Sequence, residues 1–205
     1  MSDLLIAAPL RLEAAMIRAG LRRAPRVATP AAPAAPRARV LQTGMGPRRS
    51  RESAAALAKE PAQRLLVMGF GGGLDELGEV GDAVVADAVI GPDDERVECA
   101  GAEQLAAALL AGGMSVRRGV VASVERIAIG DARTRLRERG AAAVDMESVW
   151  LAPAAAQRPF AVLRIVSDTP RRELTRPLAT VTGVALASMG LRRAAACLPA
   201  WARSA

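Results

Sequence analysis

The 205-residue sequence contains no histidine and no tyrosine, and aromatic residues make up only 2% of it. Without imidazole there is no Ser-His-Asp or Cys-His triad, no histidine general base and almost no route to a catalytic zinc site. Acid and base chemistry therefore falls to Asp and Glu. With so few rings, a ligand site can stack little against aromatic faces, and the core must be aliphatic. Cys99 and Cys197 lie far apart with no CxxC pairing, so neither a disulfide framework nor a zinc cluster is indicated, and a reducing cytoplasm suits the chain. No apolar run is read as reaching the length of a spanning helix, and the strand-like Leu4 to Ala8 directly after Asp3 leaves no room for a signal peptide. The expectation is a soluble, cytoplasmic protein.

What is present is a hydrophobic fraction of 51%, enough for a sizeable core without metal or disulfide help, and a length that fits one domain over residues 1–205. The net charge of +7 comes almost entirely from scattered Arg without interleaved aromatics. That pattern reads as a solvated basic surface, and no specific nucleic-acid partner is expected.

Along the chain, short apolar runs alternate with segments of helical spacing. Leu4 to Ala8 reads as a buried strand, and Leu12 to Leu21 as a helix with Leu12, Ala15, Met16 and Ala19 in register. The Pro-Ala stretch from Ala24 to Arg37 cannot hold a central strand and reads as a surface loop. Strands are then expected over Val40 to Thr43, Arg64 to Met68, Ala83 to Ile90, Val116 to Val124 and Phe160 to Val166. Helices are expected over Arg49 to Lys59, Ala102 to Ala111, Ala132 to Arg139, Met146 to Gln157 and Thr180 to Trp201. Such alternation implies a largely parallel sheet covered by helices.

Four places can carry chemistry. Gly69-Phe70-Gly71-Gly72-Gly73-Leu74 follows a buried strand, where backbone amides can approach a ligand closely, or where the chain simply makes a tight turn. It is not a dinucleotide or P-loop signature, because the third glycine of GxGxxG falls on Leu74 and no Gly-Lys-Ser/Thr follows. In Asp145-Met146-Glu147-Ser148, an apolar strand end meets an Ala-rich helix; Glu147 can accept two ribose hydroxyls, or both acids can merely favour a helix N-terminus. Asp168, at the end of Arg164-Ile165-Val166-Ser167-Asp168, sits where α/β enzymes place reactive groups. Held near neutral it can give a proton to a leaving purine nitrogen; the alternative is a strand-ending turn. Glu13, one turn past the first strand, can orient a water or be a solvated surface acid.

Together and in this order, these segments resemble the nucleoside phosphorylase and nucleosidase superfamily, which includes purine nucleoside phosphorylases and methylthioadenosine/S-adenosylhomocysteine nucleosidases. The resemblance rests on Thr43-Gly44-Met45-Gly46-Pro47, on the glycine run with Gly81 to Ala86, on Val144 to Ser148 and on Arg164 to Asp168. It implies an α/β fold, a three-layer α/β/α sandwich with a mixed, largely parallel sheet, in a homo-oligomer that needs no cofactor. By this resemblance Glu147 holds the ribose diol, Met146 lies under the sugar, and Asp168 protonates the purine with Ser167 beside it. Glu13 positions the nucleophilic water, and Arg164 orders that water and the carboxylates. Phe70, Gly71 and Gly72 fall against the substrate, and Ile127 stands where nucleosidases stack a Phe on the base.

In this set the carboxylates stabilise an oxocarbenium-like transition state while a proton on the base improves the leaving group. Hydrolysis is expected over phosphorolysis, because Val67 and Phe70 occupy positions where hexameric phosphorylases carry an Arg and a Ser for phosphate. Arg11 still resembles another of their phosphate ligands, and phosphate would be a co-substrate if the protein is a phosphorylase. Within the superfamily the chain resembles the hopanoid-associated branch, through Leu10-Arg11-Leu12-Glu13-Ala14 and Val144 to Ser148. That likeness implies adenosylhopane as substrate and a peripheral contact between the basic surface and an anionic membrane; a small nucleoside such as methylthioadenosine is the alternative. A reading of a different class is a non-catalytic nucleotide- or nucleic-acid-binding module. The two classes differ in whether Glu13, Glu147 and Asp168 converge on one cleft.

Overall fold

Runs of Val, Leu and Ile bounded by Gly and Pro form strands here, and Ala- and Arg-rich segments with helical spacing form the layers over them. The computed structural model describes residues 2–24, 37–75, 78–171 and 177–203. The Pro-Ala stretch read as a surface loop lies largely outside the described residues. The elements are β1 (Ser2–Ala8), α1 (Arg11–Leu21), β2 (Ala38–Gln42), α2 (Pro47–Ala58), β3 (Ala62–Gly73), β4 (Ala83–Ile90) and β5 (Arg96–Glu98). They continue with α3 (Ala102–Ala111), β6 (Val116–Ser123), α4 (Asp131–Glu138), β7 (Ala141–Asp145), α5 (Ser148–Leu151), β8 (Phe160–Asp168) and α6 (Pro177–Arg203).

The sheet is mixed and largely parallel. Parallel ladders join β1 to β2 and β3, β3 to β8, β4 to β6, and β6 to β7. Antiparallel ladders join β4 to β5, β4 to β8, and the end of β3 to β7. Because β3 pairs with β8 along most of its length and with β7 at Gly72 and Gly73, five strands close into a ring in the order β3, β8, β4, β6, β7. The strand β1, with β2 outside it, extends this ring as an open sheet on the other side of β3.

Alternation along the strands divides the core between two faces. Leu4, Ile6, Leu66, Met68 and Leu163 pack with Ile17 of α1, Leu105 of α3 and Leu191 of α6. Leu5, Ala7, Leu65, Val67 and Val162 pack with Leu57 of α2 and with Val149 and Trp150 of α5. Helices thus cover both faces, the three-layer arrangement expected.

Several expectations need correction. The glycine run is not a loop after a strand but the second half of β3 itself. The expected helix over Met146 to Gln157 is only one turn, α5, followed by a 3₁₀ turn over Ala152–Ala155. Pro153 lacks the amide needed to continue the α-helical ladder. Strand β5 was not anticipated, and β8 continues to Asp168, so that Asp168 ends the strand instead of following it. Val181–Arg203 of α6 is, by length and a mean hydropathy of 1.2, apolar enough to cross a membrane, contrary to the expectation of no such run. Its many Ala residues, with Val and Leu, raise the hydropathy, and Ala187, Leu191, Ala194, Ala195 and Leu198 lie fully buried in the core.

Candidate active site

The C-terminal ends of β3, β7 and β8 meet the first turn of α1 around a cavity of about 260 Å³. Its wall includes Glu13, Phe70, Gly71, Gly72, Ile127, Met146, Glu147, Ser167 and Asp168, all singled out from the sequence. The three carboxylates converge on one cleft, which was the observation separating an enzyme from a plain binding module.

Glu13 reaches the cavity because α1 begins two residues earlier, at Arg11, which puts it in the first turn. One carboxylate oxygen accepts the Leu10 amide at 2.6 Å and caps the first turn; the other accepts the Phe70 amide at 2.6 Å and ties α1 to β3. Burial pushes its pKa up to about 7, a rise held back by the Phe70 amide, by Arg164 and by the Leu10 amide. Glu13 therefore passes between acid and base near neutral pH.

Glu147 accepts the Gly46 amide at 3.1 Å, just before α2, and stands 3.3 Å from Arg164 Nη2. Burial raises its pKa and the Arg164 guanidinium opposes that rise. Arg164 itself is fully buried and lies behind the cavity wall. Burial disfavours its charge, but Asp145, Glu147 and Glu13 around it outweigh that and raise its pKa. Its Nε donates to Asp145 at 2.8 Å, its Nη2 to Ser148 Oγ at 3.0 Å, and its Nη1 to the Phe70 carbonyl at 3.2 Å.

Asp145 is the hub that sequence reasoning passed over. It accepts the Ser123 hydroxyl at 2.6 Å, the Glu147 and Ser148 amides at 3.2 Å each, the Ser148 hydroxyl and the Arg164 guanidinium. A buried carboxylate so fully satisfied holds the turn that aims Glu147.

At the opposite side of the cavity Asp168 ends β8. Its Oδ1 faces the Ser167 hydroxyl at 2.8 Å, and its Oδ2 is paired with Arg133 of α4, both side chains being buried. Ser167 has a second acceptor, the Gly71 carbonyl, at 3.3 Å. Arg133 was not foreseen from the sequence. Its Nε donates to the Ala128 carbonyl at 2.9 Å and its Nη1 to the Gly73 carbonyl at 3.3 Å. The acid expected to be held near neutral thus has a guanidinium beside one of its oxygens.

The glycines of β3 now have a physical reason. A Cβ at Gly69 would stand 2.6 Å from Glu13 Oε1 and 2.8 Å from Arg164 Nη1, and one at Gly72 would stand 2.7 Å from Arg133 Nη2. The run has no side chains where the charged groups of the site press against the strand. Arg11, in contrast, is exposed on α1 and is not part of the cavity wall, so the geometry lends no support to its reading as a phosphate ligand. Among the described residues no cluster of His, Cys, Asp and Glu could hold a metal ion.

Residues 34–198 match the model of the phosphorylase superfamily, and the chain belongs to that superfamily. Solved structures share the fold at low identity. The 5'-methylthioadenosine/S-adenosylhomocysteine nucleosidase of Neisseria meningitidis, in complex with methylthio-immucillin-A, superposes with a TM-score of 0.79 at 18% identity, over 98% of this chain and 100% of that one. The S-adenosylhomocysteine nucleosidase of Streptococcus pyogenes gives 0.76 at 21% identity, over 98% and 95%. The futalosine hydrolase of Helicobacter pylori gives 0.75 at 17% identity, over 98% and 97%. No curated protein matches the chain in sequence.

Proposed function

We propose that this protein is an N-ribosyl hydrolase that cleaves the bond between adenine and ribose in a purine ribonucleoside. The observation that carries the reading is the convergence of Glu13, Glu147 and Asp168 on one cavity, with Met146 and Ser167 beside them. Glu147 takes the ribose diol, Met146 lies under the sugar, Glu13 accepts a proton from the attacking water, and Asp168 with Ser167 serves the leaving base. Arg164 keeps the carboxylates near the sugar in place. As the glycosidic bond lengthens, positive charge grows on the ribose between the acids. The nucleosidases among the superposed structures support the same chemistry.

Hydrolysis is favoured over phosphorolysis because Val67 is buried, Phe70 occupies the wall and Arg11 stands off it. For the substrate's 5' group we favour a large apolar substituent, as in adenosylhopane. Leu10, Met45, Ile127 and Val184 give the cavity a greasy wall, and Met45 and Ile127 are half or more exposed, which suits a ligand that extends outwards. The domain would act as a homo-oligomer, its basic surface resting on an anionic membrane. The test is a panel of nucleosides with and without phosphate, scored by free base and sugar product, with adenosylhopane in detergent competing against methylthioadenosine. Adenine and free ribose-type product without phosphate are expected. Ribose 1-phosphate formed only with phosphate would make the protein a phosphorylase, and a large preference for methylthioadenosine would remove the lipid substrate.

A further inference from the structure

Nothing in the expected catalytic set accounts for Arg133. It stands in the first turn of α4, a helix with Arg135 and Arg137 close by, yet it alone of the three turns inwards and is 4% exposed. Burying a guanidinium is costly unless its donors are satisfied, and here they are spent on the Ala128 and Gly73 carbonyls and on Asp168. The strand opposite makes room for it by having no side chain at Gly72.

We propose that Arg133 is the positioning residue of the leaving-group acid: it anchors Asp168 through Oδ2 and leaves Oδ1 to carry the proton delivered to the purine. This rests on the N-ribosyl reading above and deepens it. The two oxygens of Asp168 have different partners. Oδ2 is held by a group that cannot give up its own proton at any working pH. Oδ1 faces Ser167, whose hydroxyl has two acceptors within reach, Oδ1 and the Gly71 carbonyl. When Oδ1 carries a proton, the Ser167 hydroxyl turns to Gly71. As the bond from the ribose anomeric carbon to the base breaks, its electron pair passes to the purine, the Oδ1 proton moves to a purine ring nitrogen, and Asp168 is left as a carboxylate. Arg133 and the returning Ser167 hydroxyl then stabilise that carboxylate. Water adds to the anomeric carbon and gives its proton to Glu13, so atoms and charge balance.

The test is a double-mutant cycle on kcat/KM for adenine release from an adenine ribonucleoside, using the parent, R133Q, D168N and the pair. A residue acting through Asp168 costs about 100-fold when replaced alone and less than about threefold when Asp168 is already Asn. The loss in R133Q should also shrink for a ribonucleoside of a more acidic base such as 2-fluoroadenine, which departs with less help. R133K, which keeps the charge but not the fork, should recover part of the rate, and it carries the same comparisons if R133Q does not fold. Equal losses from R133Q in both backgrounds, or for both bases, would overturn the proposal and leave Arg133 a structural residue. A parent that releases no base from any nucleoside would overturn the N-ribosyl reading itself, whereas an active parent without coupling refutes only the role of Arg133.

Discussion

Glu13 ties the chemistry of the site to the stability of the fold. The carboxyl of an unfolded chain loses its proton near 4.5, whereas in the folded protein it keeps it to about 7. Between those values the folded state binds more protons than the unfolded state, so stability falls as pH rises through the window and levels off above it. At about 1.4 kcal/mol per pH unit this amounts to roughly 3 kcal/mol lost by pH 8. Glu13→Gln has no such titration. Its side-chain oxygen can still accept one amide, from Leu10 or Phe70, but its NH₂ faces the other donor, at a cost of about 1–3 kcal/mol that does not vary with pH. The variant should therefore be less stable than the parent at pH 5, gain on it as pH rises towards 7, and hold a constant difference above that. Denaturant unfolding of both proteins across pH 5 to 9 measures this. Catalysis should run the other way: a water-activating Glu13 must be ionised, so kcat/KM in the parent rises about tenfold per pH unit below pH 7 and flattens above it. Unfolding curves that stay parallel across the range would refute the buried, protonated Glu13, and an acid limb centred near pH 4.5 would remove it as the base.

Other outcomes follow from the same geometry. Asp168→Asn keeps the shape but cannot give a proton, and base release should fall by about 100-fold or more with the fold retained by circular dichroism; near-parental turnover would end its assignment. Glu147→Gln should cost roughly 2 kcal/mol or more of transition-state stabilisation on a ribonucleoside, while the 2',3'-dideoxy analogue, having no diol to hold, should lose far less. Gly69→Ala places a methyl group against Glu13 and Arg164; it should lower Tm, at a cost of about 1–3 kcal/mol, and reduce kcat far more than the distant Gly81→Ala, both being read by thermal melts and initial rates.

The layers were legible because strand and helix have different periods, and β1, β4 and α3 lie where apolar runs and Ala-rich spacing put them. The glycine run was misread because glycine signals a turn in a one-dimensional reading. That these glycines continue β3 depends on what presses on them from α1, β8 and α4. The three carboxylates were found through motifs at strand ends, where local sequence and site coincide. Arg133 was not, because it is one Arg among several; its only trace is its spacing of three from Leu136, the other buried position of α4. Asp145 was in view beside Glu147, but its five donors come from β6, the α5 turn and β8, and no local pattern announces them.

The closed ring of β3, β8, β4, β6 and β7 also bears on motion. A strand in an open sheet can peel from an edge at small cost, as β2 and β5 can here, each pairing with a single strand among the described residues. A strand in the ring has ladders on both sides, so its amides are released to hydrogen exchange only when much of the fold opens. Asp145 and Asp168 end two of these strands, and Gly71 and Gly72 lie in a third. The polar end of the cavity should thus be among the slowest regions to exchange, and a bulky ligand must enter by displacing side chains at the rim, Met45 and Ile127 foremost, while the floor beneath it stays still.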